Sequence, residues 1–306
     1  MQLTDPVSVH VRVPATSANL GPGFDALGLA LSLYDEATVT LRPDNQVVID
    51  IQGIGAASLP RDEDHLLLRS LRLAAQRFGL HVGGVEIRVR NAIPQGRGLG
   101  SSAATITAGV AAAWMLVPGH DRPDLAEILA VAAHIEGHPD NVAACVQGGL
   151  AISWRSGDRA AAVAVPVHRD IEPVLFVPAF EFSTDTARGL LPATVPHADA
   201  AFTAGRAALL IHALTAAPEL LLEATEDRLH QDYRAASMPE TTLLLQRLRR
   251  RGIAGVVSGA GPSLLALVIA GTGAQSNVES ILPPGWTRHR LEVSAGVDAA
   301  VEFAAE

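Results

Sequence analysis

From Val7 to Val13 the chain alternates apolar and polar residues as Val-Ser-Val-His-Val-Arg-Val, the period of two expected of a half-buried strand. Pro14 then opens a stretch to Asp25, Pro-Ala-Thr-Ser-Ala-Asn-Leu-Gly-Pro-Gly-Phe-Asp, that is too rich in breakers to be regular. Strand character resumes over Ala37–Leu41 and Val47–Ile51, so a functional loop between strands is expected at Pro14–Asp25. Asp62 to Phe78 carries Leu66, Leu67, Leu71, Leu73, Ala74 and Phe78 at mostly helical spacing, with acidic residues first and arginines towards the end, as the helix dipole favours. Val85–Val89 alternates as another strand. Ser102–Leu116 is nearly all small or apolar and predicts a buried helix; Arg122–Ile135 predicts one more.

After Gly148-Gly149 and strand-like Leu150–Trp154, the polar stretch Arg155–Arg159 is the expected crossing between domains. Beyond it, strands at Ala161–Val167, Pro173–Val177, Gly255–Val257 and Leu264–Ile269 mix with helices at Ala198–Thr215 and Pro239–Arg251, an α+β pattern. At 306 residues the chain exceeds the size at which single cores divide, so two packed domains, residues 1–155 and 156–306, are expected.

The densest candidate chemistry is Pro94 to Ala104, Pro-Gln-Gly-Arg-Gly-Leu-Gly-Ser-Ser-Ala-Ala, where a strand hands over to a helix. Gly96, Gly98 and Gly100 permit left-handed backbone and close approach to a ligand, and Ser101 and Ser102 offer hydroxyls and capping at the helix start. Free N–H groups at that end favour an anion such as a phosphate, although an isolated glycine run reads first as an ordinary turn capping a helix. All 23 Lys+Arg positions are arginine, which excludes a Walker A loop; backbone N–H groups, serine hydroxyls and Arg97 would have to hold a phosphate. Glu136-Gly137-His138-Pro139-Asp140-Asn141 packs two carboxylates, an imidazole and an amide together. Beside a nucleotide loop, Glu136 becomes a candidate ligand for the magnesium that accompanies ATP; alone, the segment could simply cap a helix.

Composition limits the partners. A net charge of -9 gives no attraction to nucleic acid or to an anionic membrane, so a phosphorylated ligand must be met by a local device. The single cysteine, Cys145, reads as inert packing in a reducing compartment. No secretory signal is visible at the start and no apolar run is long enough for a membrane span, which together predict a soluble cytoplasmic protein.

Four blocks in this order, Val13–Asp25, Pro94–Ala104, Glu136–Asn141 and Ser258-Gly259-Ala260-Gly261-Pro262-Ser263, resemble the GHMP kinase superfamily and, within it, the homoserine kinase branch, over nearly the full chain. The resemblance implies an α+β, two-domain GHMP kinase fold: an N-terminal nucleotide-binding domain of the ribosomal protein S5 domain 2 type and a C-terminal ferredoxin-like α/β plait. It implies ATP and Mg2+ as cofactors, L-homoserine as substrate, phosphorylation of its side-chain hydroxyl on the route to threonine, and a possible homodimer. By the same resemblance ATP would meet Asn91, Pro94, Gln95, Gly96, Arg97, Gly98, Leu99, Gly100, Ser101, Ser102, Ala103 and Ala104, with Ile93 beside the base and Ser102 and Glu136 on the metal. Asn19, Asp25, His138, Asp140, Arg188 and Arg234 would line the substrate, and Asp140, Asn141 and Arg188 would serve catalysis. The position of a lysine used elsewhere in the superfamily is taken here by Ser17. A kinase for another small alcohol, or a nucleotide-binding protein without turnover, remain the alternatives.

Overall fold

A computed structural model of the chain describes residues 7–272, 278 and 280–302. In chain order the elements are β1 (Ser8–Ala18), β2 (Leu27–Arg42), β3 (Val47–Gly53), α1 (Leu66–Phe78), β4 (Gly84–Asn91), α2 (Ser101–Met115), α3 (Leu125–Glu136), α4 (Asp140–Gln147), β5 (Leu150–Ser156) and β6 (Arg159–Val165). The second half holds β7 (Ile171–Pro178), α5 (Thr184–Gly189), α6 (His197–Thr215), α7 (Leu221–Ala224), α8 (Gln231–Arg234), α9 (Pro239–Arg250), β8 (Ala254–Val257), β9 (Leu264–Ile269), β10 (Trp286–Arg290) and β11 (Asp298–Glu302). This is the expected α+β composition.

The larger sheet runs β11-β1-β2-β4-β3, with β5 attached to the start of β2 and β6 to β5. Among the described residues only β3 and β4 of this sheet run parallel, joined across α1; every other pair is antiparallel. Helices α1 to α4 pack together, and α2 and α4 lie on β1 and β2. The second sheet, β10-β7-β9-β8, is antiparallel throughout. Strands β7, β8 and β9 are mostly apolar on both faces because both are covered, whereas edge strand β10 is polar and largely exposed. Leu175, Val177, Leu265 and Leu267 join the main core with Leu210 and Leu214 of α6, while Val174, Phe176, Leu264 and Ala266 pack with Leu244 and Leu248 of α9.

Several expectations are corrected. β1 does not stop at Pro14: a register shift between Pro14 and Ala15 absorbs the proline, and Ala15–Ala18 pair onward with Leu31–Gly28. The true turn begins at Asn19, where Asn19, Leu20 and Gly21 take φ of 68°, 49° and 80°. Arg155–Arg159 is no domain crossing but the tight turn of the β5–β6 hairpin, with Ser156 paired to Arg159. Because β6 belongs to the larger sheet and β11 returns to pair with β1, that sheet draws on chain from both sides of residue 155. Helix α1 starts at Leu66, after a turn in which the Asp64 N–H donates to Asp62 Oδ1, so the acidic residues precede the helix. α3 starts at Leu125, where Asp124 Oδ1 accepts from the N–H groups of Ala126 and Glu127.

The close contact of β2 with α4 sets the position of the acidic motif. A Cβ on Gly28 would lie 2.5 Å from the Asp140 carbonyl oxygen and 2.9 Å from Ala144 Cβ, so nothing larger than glycine fits without moving α4. Gly28→Ala is expected to destabilise the fold by about 1–3 kcal/mol, read as a lower denaturant midpoint at unchanged m-value.

Candidate active site

Loops from both halves of the chain converge at the start of α2. Every backbone carbonyl of the loop Gln95–Gly100 is held. Gln95 O accepts from Arg97 Nη1, Gly96 O from Phe182 N, Arg97 O from Ser263 N, Gly98 O from Ser258 Oγ, Leu99 O from Thr16 N and Gly100 O from Ala104 N. In contrast, no backbone N–H from Gln95 through Ala103 donates to a protein acceptor among the described residues. A run of unpaired N–H groups leading into the N-terminus of a long helix is a cradle for an anion.

The glycines serve this arrangement differently from the expectation. A Cβ on Gly98 would lie 2.2 Å from Ser258 O, and one on Gly100 would lie 1.9 Å from Thr16 Oγ1. Both glycines have positive φ, and their α-carbons face protein rather than ligand. They let the second-half loop and the Thr16–Asn141 pair come close behind the cradle. Gly100 is itself the cap residue of α2 and no side chain caps that helix, so Ser101 and Ser102 stand in its first turn with their hydroxyls free for other work. Arg97 is also reassigned. Its guanidinium donates to Pro178 O at 3.0 Å and Ala179 O at 2.7 Å and pairs with Glu181 at 3.1 Å, latching the loop to the end of β7. It lines neither cavity described below.

Two cavities flank the loop. The larger, about 360 Å³, is lined by Asp35, His65, Leu66, Asn91, Gln95 and Thr105 among others; the smaller, about 120 Å³, by Asp25, Glu136, His138, Asp140, Arg188 and Arg234. Gly96, Ser101 and Ser102 line both, so the cradle forms the partition between them. Pro94, Gly98, Leu99, Gly100 and Asn141 face the smaller one. Ala103, Ala104 and Ile93 are fully buried and line neither, so their side chains make no contact there and Ala103 offers only its backbone N–H. Asp35, which sequence reasoning missed, accepts the N–H groups of Ala92 at 2.7 Å and Ile93 at 2.8 Å and so fixes the chain leaving β4. Burial pushes its carboxyl up to about 6 against those two bonds. It sits inside a strand with no motif around it, so no sequence signal marks it.

In the smaller cavity Ser102 Oγ donates to Glu136 Oε2 at 2.8 Å, and burial raises the Glu136 carboxyl above its ordinary range. Among the described residues no group of three or more His, Cys, Asp or Glu side chains forms a metal cage. One carboxylate beside one hydroxyl at the cradle is what a magnesium ion arriving with nucleotide phosphates requires, because most of its ligands are phosphate and water oxygens. His138 Nδ1 lies 3.1 Å from Asp140 Oδ1, and its Nε2 lies 4.0 Å from Glu136 Oε1. The hydrogen bond to Asp140 raises the His138 imidazole above its ordinary value. Asp140, only 2% exposed, opens α4 and also accepts the Asn141 N–H at 2.8 Å. Asn141 Oδ1 is occupied by Thr16 Oγ1 at 2.7 Å.

Asn19 lines the cavity but spends its amide on the loop: Nδ2 donates to Gly259 O at 2.8 Å and Oδ1 accepts from Asp25 N at 3.0 Å. Asp25, at φ 56°, pairs with Arg188 through Nη2 at 2.9 Å and Nη1 at 3.4 Å. Arg234 differs: it is 2% exposed, its Nε donates to Ala187 O, its Nη1 meets His230 Nδ1, and it forms no ion pair among the described residues. A buried guanidinium without an ion-pair partner suits an anionic ligand group. Phe24, Thr184, Gly259 and Ala260 complete the lining; Phe24 and Thr184 do not stand out in sequence as more than loop or turn.

The descriptions "GHMP kinases N terminal domain" and "GHMP kinases C terminal" match residues 65–149 and 204–282. A homoserine kinase of Streptomyces coelicolor is 56% identical over 93% of this chain and 91% of its own length, and one of Streptomyces avermitilis 54% over 97% of both. The chain belongs to the homoserine kinase family of GHMP kinases. The crystal structure of a homoserine kinase from Cytophaga hutchinsonii, 27% identical and covering 98% of both chains, superposes with a TM-score of 0.83.

The raised His138 carries a measurable consequence. A group whose value is higher folded than unfolded adds stability that is fully present below its unfolded value and is lost as pH rises through the folded one. Titration of the ring resonances should therefore place the His138 midpoint above that of a solvent-exposed histidine, and Asp140→Asn should bring it back down.

Proposed function

We propose that this protein transfers the γ-phosphoryl group of ATP to the side-chain hydroxyl of L-homoserine, forming O-phospho-L-homoserine and ADP, a step towards threonine. The observation that carries this reading is the pairing of an anion cradle with a small polar cavity holding a buried, ion-pair-free Arg234. In it the larger cavity takes the nucleotide base and ribose, and the free N–H groups of Gly96–Ala103 take the phosphates. Magnesium, held by Glu136 and Ser102, supplies charge neutralisation on the phosphate oxygens.

The smaller cavity takes the amino acid. Arg234 meets the α-carboxylate, and Asp25 meets the ammonium while remaining oriented by Arg188. Asp140 orients the attacking hydroxyl and accepts its hydrogen, with His138 holding the carboxylate in place. No strong base is required, because a loose phosphoryl-transfer transition state depends on alignment and on neutralised charge. Arg188, at the edge of the site, supplies positive charge as the phosphoryl group crosses. Asn141 contributes by fixing Thr16 and the cradle rather than by touching the reacting atoms.

The same reading places the enzyme in the cytoplasm as a homodimer. Among the described residues no helix is long and apolar enough to cross a membrane. Among the described residues strand β6 pairs only with β5, and Trp154 of β5 and Val163 of β6 are half-exposed, which supports self-association.

ADP release measured with homoserine, mevalonate, galactose and shikimate should show saturable turnover with homoserine; turnover confined to a substrate lacking an amine would overturn the assignment. Glu136→Ala should cut magnesium-dependent kcat severely in a protein that stays folded, and unchanged kcat at saturating magnesium would remove it from the metal site. Arg234→Ala should weaken homoserine use by about 2 to 5 kcal/mol, the range for stranding or removing a buried charge partner, seen in KM for homoserine.

A further inference from the structure

His230 is fully buried behind the acceptor cavity and is not needed by any step above. Its ring touches both halves of the substrate site. Nε2 lies 2.8 Å from the carbonyl oxygen of Gly21, in the turn that carries Phe24 and Asp25, and Nδ1 lies 3.0 Å from Arg234 Nη1. The ring also stacks on Phe24, with centroids 5.1 Å apart and planes at 24°.

These partners leave one choice of protonation. A guanidinium only donates, so Nδ1 must present its lone pair; a carbonyl only accepts, so Nε2 must carry the hydrogen. The charged groups around the ring agree with a neutral form. Arg234 is in direct contact, Asp227 Oδ2 lies 3.6 Å from Nε2, and Asp25 stands further off. Asp227 is largely committed elsewhere, its Oδ2 accepting the N–H groups of His230 at 3.0 Å and Gln231 at 2.8 Å and so holding the start of α8. Burial holds the imidazole below its ordinary range.

With Nε on Ala187 O and Nη1 on His230, the Arg234 guanidinium cannot rotate, and its Nη2 is left without a protein acceptor among the described residues. Gly21 is equally fixed, since a Cβ there would lie 2.6 Å from Thr225 O. We propose that His230 is a positioning residue: as a neutral Nε2–H imidazole it locks the Arg234 guanidinium to the Gly21–Asp25 turn, so that carboxylate and ammonium contacts are set at one spacing before the amino acid arrives. This rests on the acceptor assignment above for its kinetic consequence but not for its geometry.

Two amide substitutions divide the ring's two contacts. His230→Asn keeps an acceptor near the Nδ1 position and loses the reach to Gly21; His230→Gln reaches Gly21 and loses the acceptor for Arg234. His230→Gln should raise KM for homoserine by about tenfold or more while kcat and KM for ATP stay within about twofold, and His230→Asn should recover part of that loss. A merely structural histidine would instead lower thermal stability and shift both KM values and kcat together, and that result would overturn the proposal. So would a homoserine KM within about twofold of the parent in His230→Gln. Long-range proton–nitrogen correlation on the unsubstituted, ligand-free protein should show a neutral ring protonated at Nε2; a cationic ring or the Nδ1–H tautomer refutes the inference whatever the variants do. If the tautomer is found but the parent protein does not turn over homoserine, the assigned reaction falls and the positioning geometry stands.

Discussion

Six consecutive carbonyls, from Gln95 to Gly100, are each held by another group of the chain, and the site depends on that constraint. Peptide groups are rigid, so fixing the oxygens on one side aims the N–H groups to the other. The cradle therefore needs no lysine: partial charges on several fixed donors, added to the end of α2, replace one mobile cation. Four of the six donors come from β1, from the segment after β7 and from the loop between β8 and β9, so the cradle is complete only when both halves are assembled.

The same junction explains where the glycines and Ser17 belong. Ser258 Oγ sits 2.9 Å from Ser17 Oγ and 2.7 Å from Gly98 O, a contact that needs Gly98 to be free of a side chain. At the position where a superfamily lysine would stand, this chain has a buried hydroxyl that closes the interface between its halves. The charged side chains stand instead in the smaller cavity, where Asp25, Glu136, Asp140, Arg188 and Arg234 line one space. In a chain of net charge -9, arginines 188 and 234 act locally, one paired with Asp25 and one buried without an ion pair among the described residues.

The acceptor site is built of groups that spend part of their bonding capacity on one another. His138 bridges towards Glu136 and Asp140, Asn19 ties Asp25 to Gly259, and Arg188 holds Asp25. Such internal bonds fix side-chain rotamers ahead of binding, which lowers the ordering cost that a small ligand must overcome. Cys145 lies outside this network, and burial pushes its thiol up to about 12, in keeping with an inert packing residue.

Local pattern alone carried the main strands and helices, the buried character of α2, the glycine- and hydroxyl-rich turn into α2 at Pro94–Ala104 and the acidic cluster at Glu136–Asn141, because each is written in residues adjacent in sequence. Spatial assembly decided what those residues face. Arg97 looks like a phosphate ligand in its own segment, yet the ends of β7 and the segment after it offer its guanidinium three acceptors. The Arg155–Arg159 stretch looks like a linker, yet β5 and β6 bury enough of each other to make it a hairpin. Asp35 and His230 carry no local signal at all, since their partners, Ala92, Ile93 and Gly21, are distant along the chain. Sequence determined the chemistry available at each position; long-range hydrogen bonding and burial determined which of it points at a ligand, because a polar group's free valence is known only after its neighbours have taken theirs.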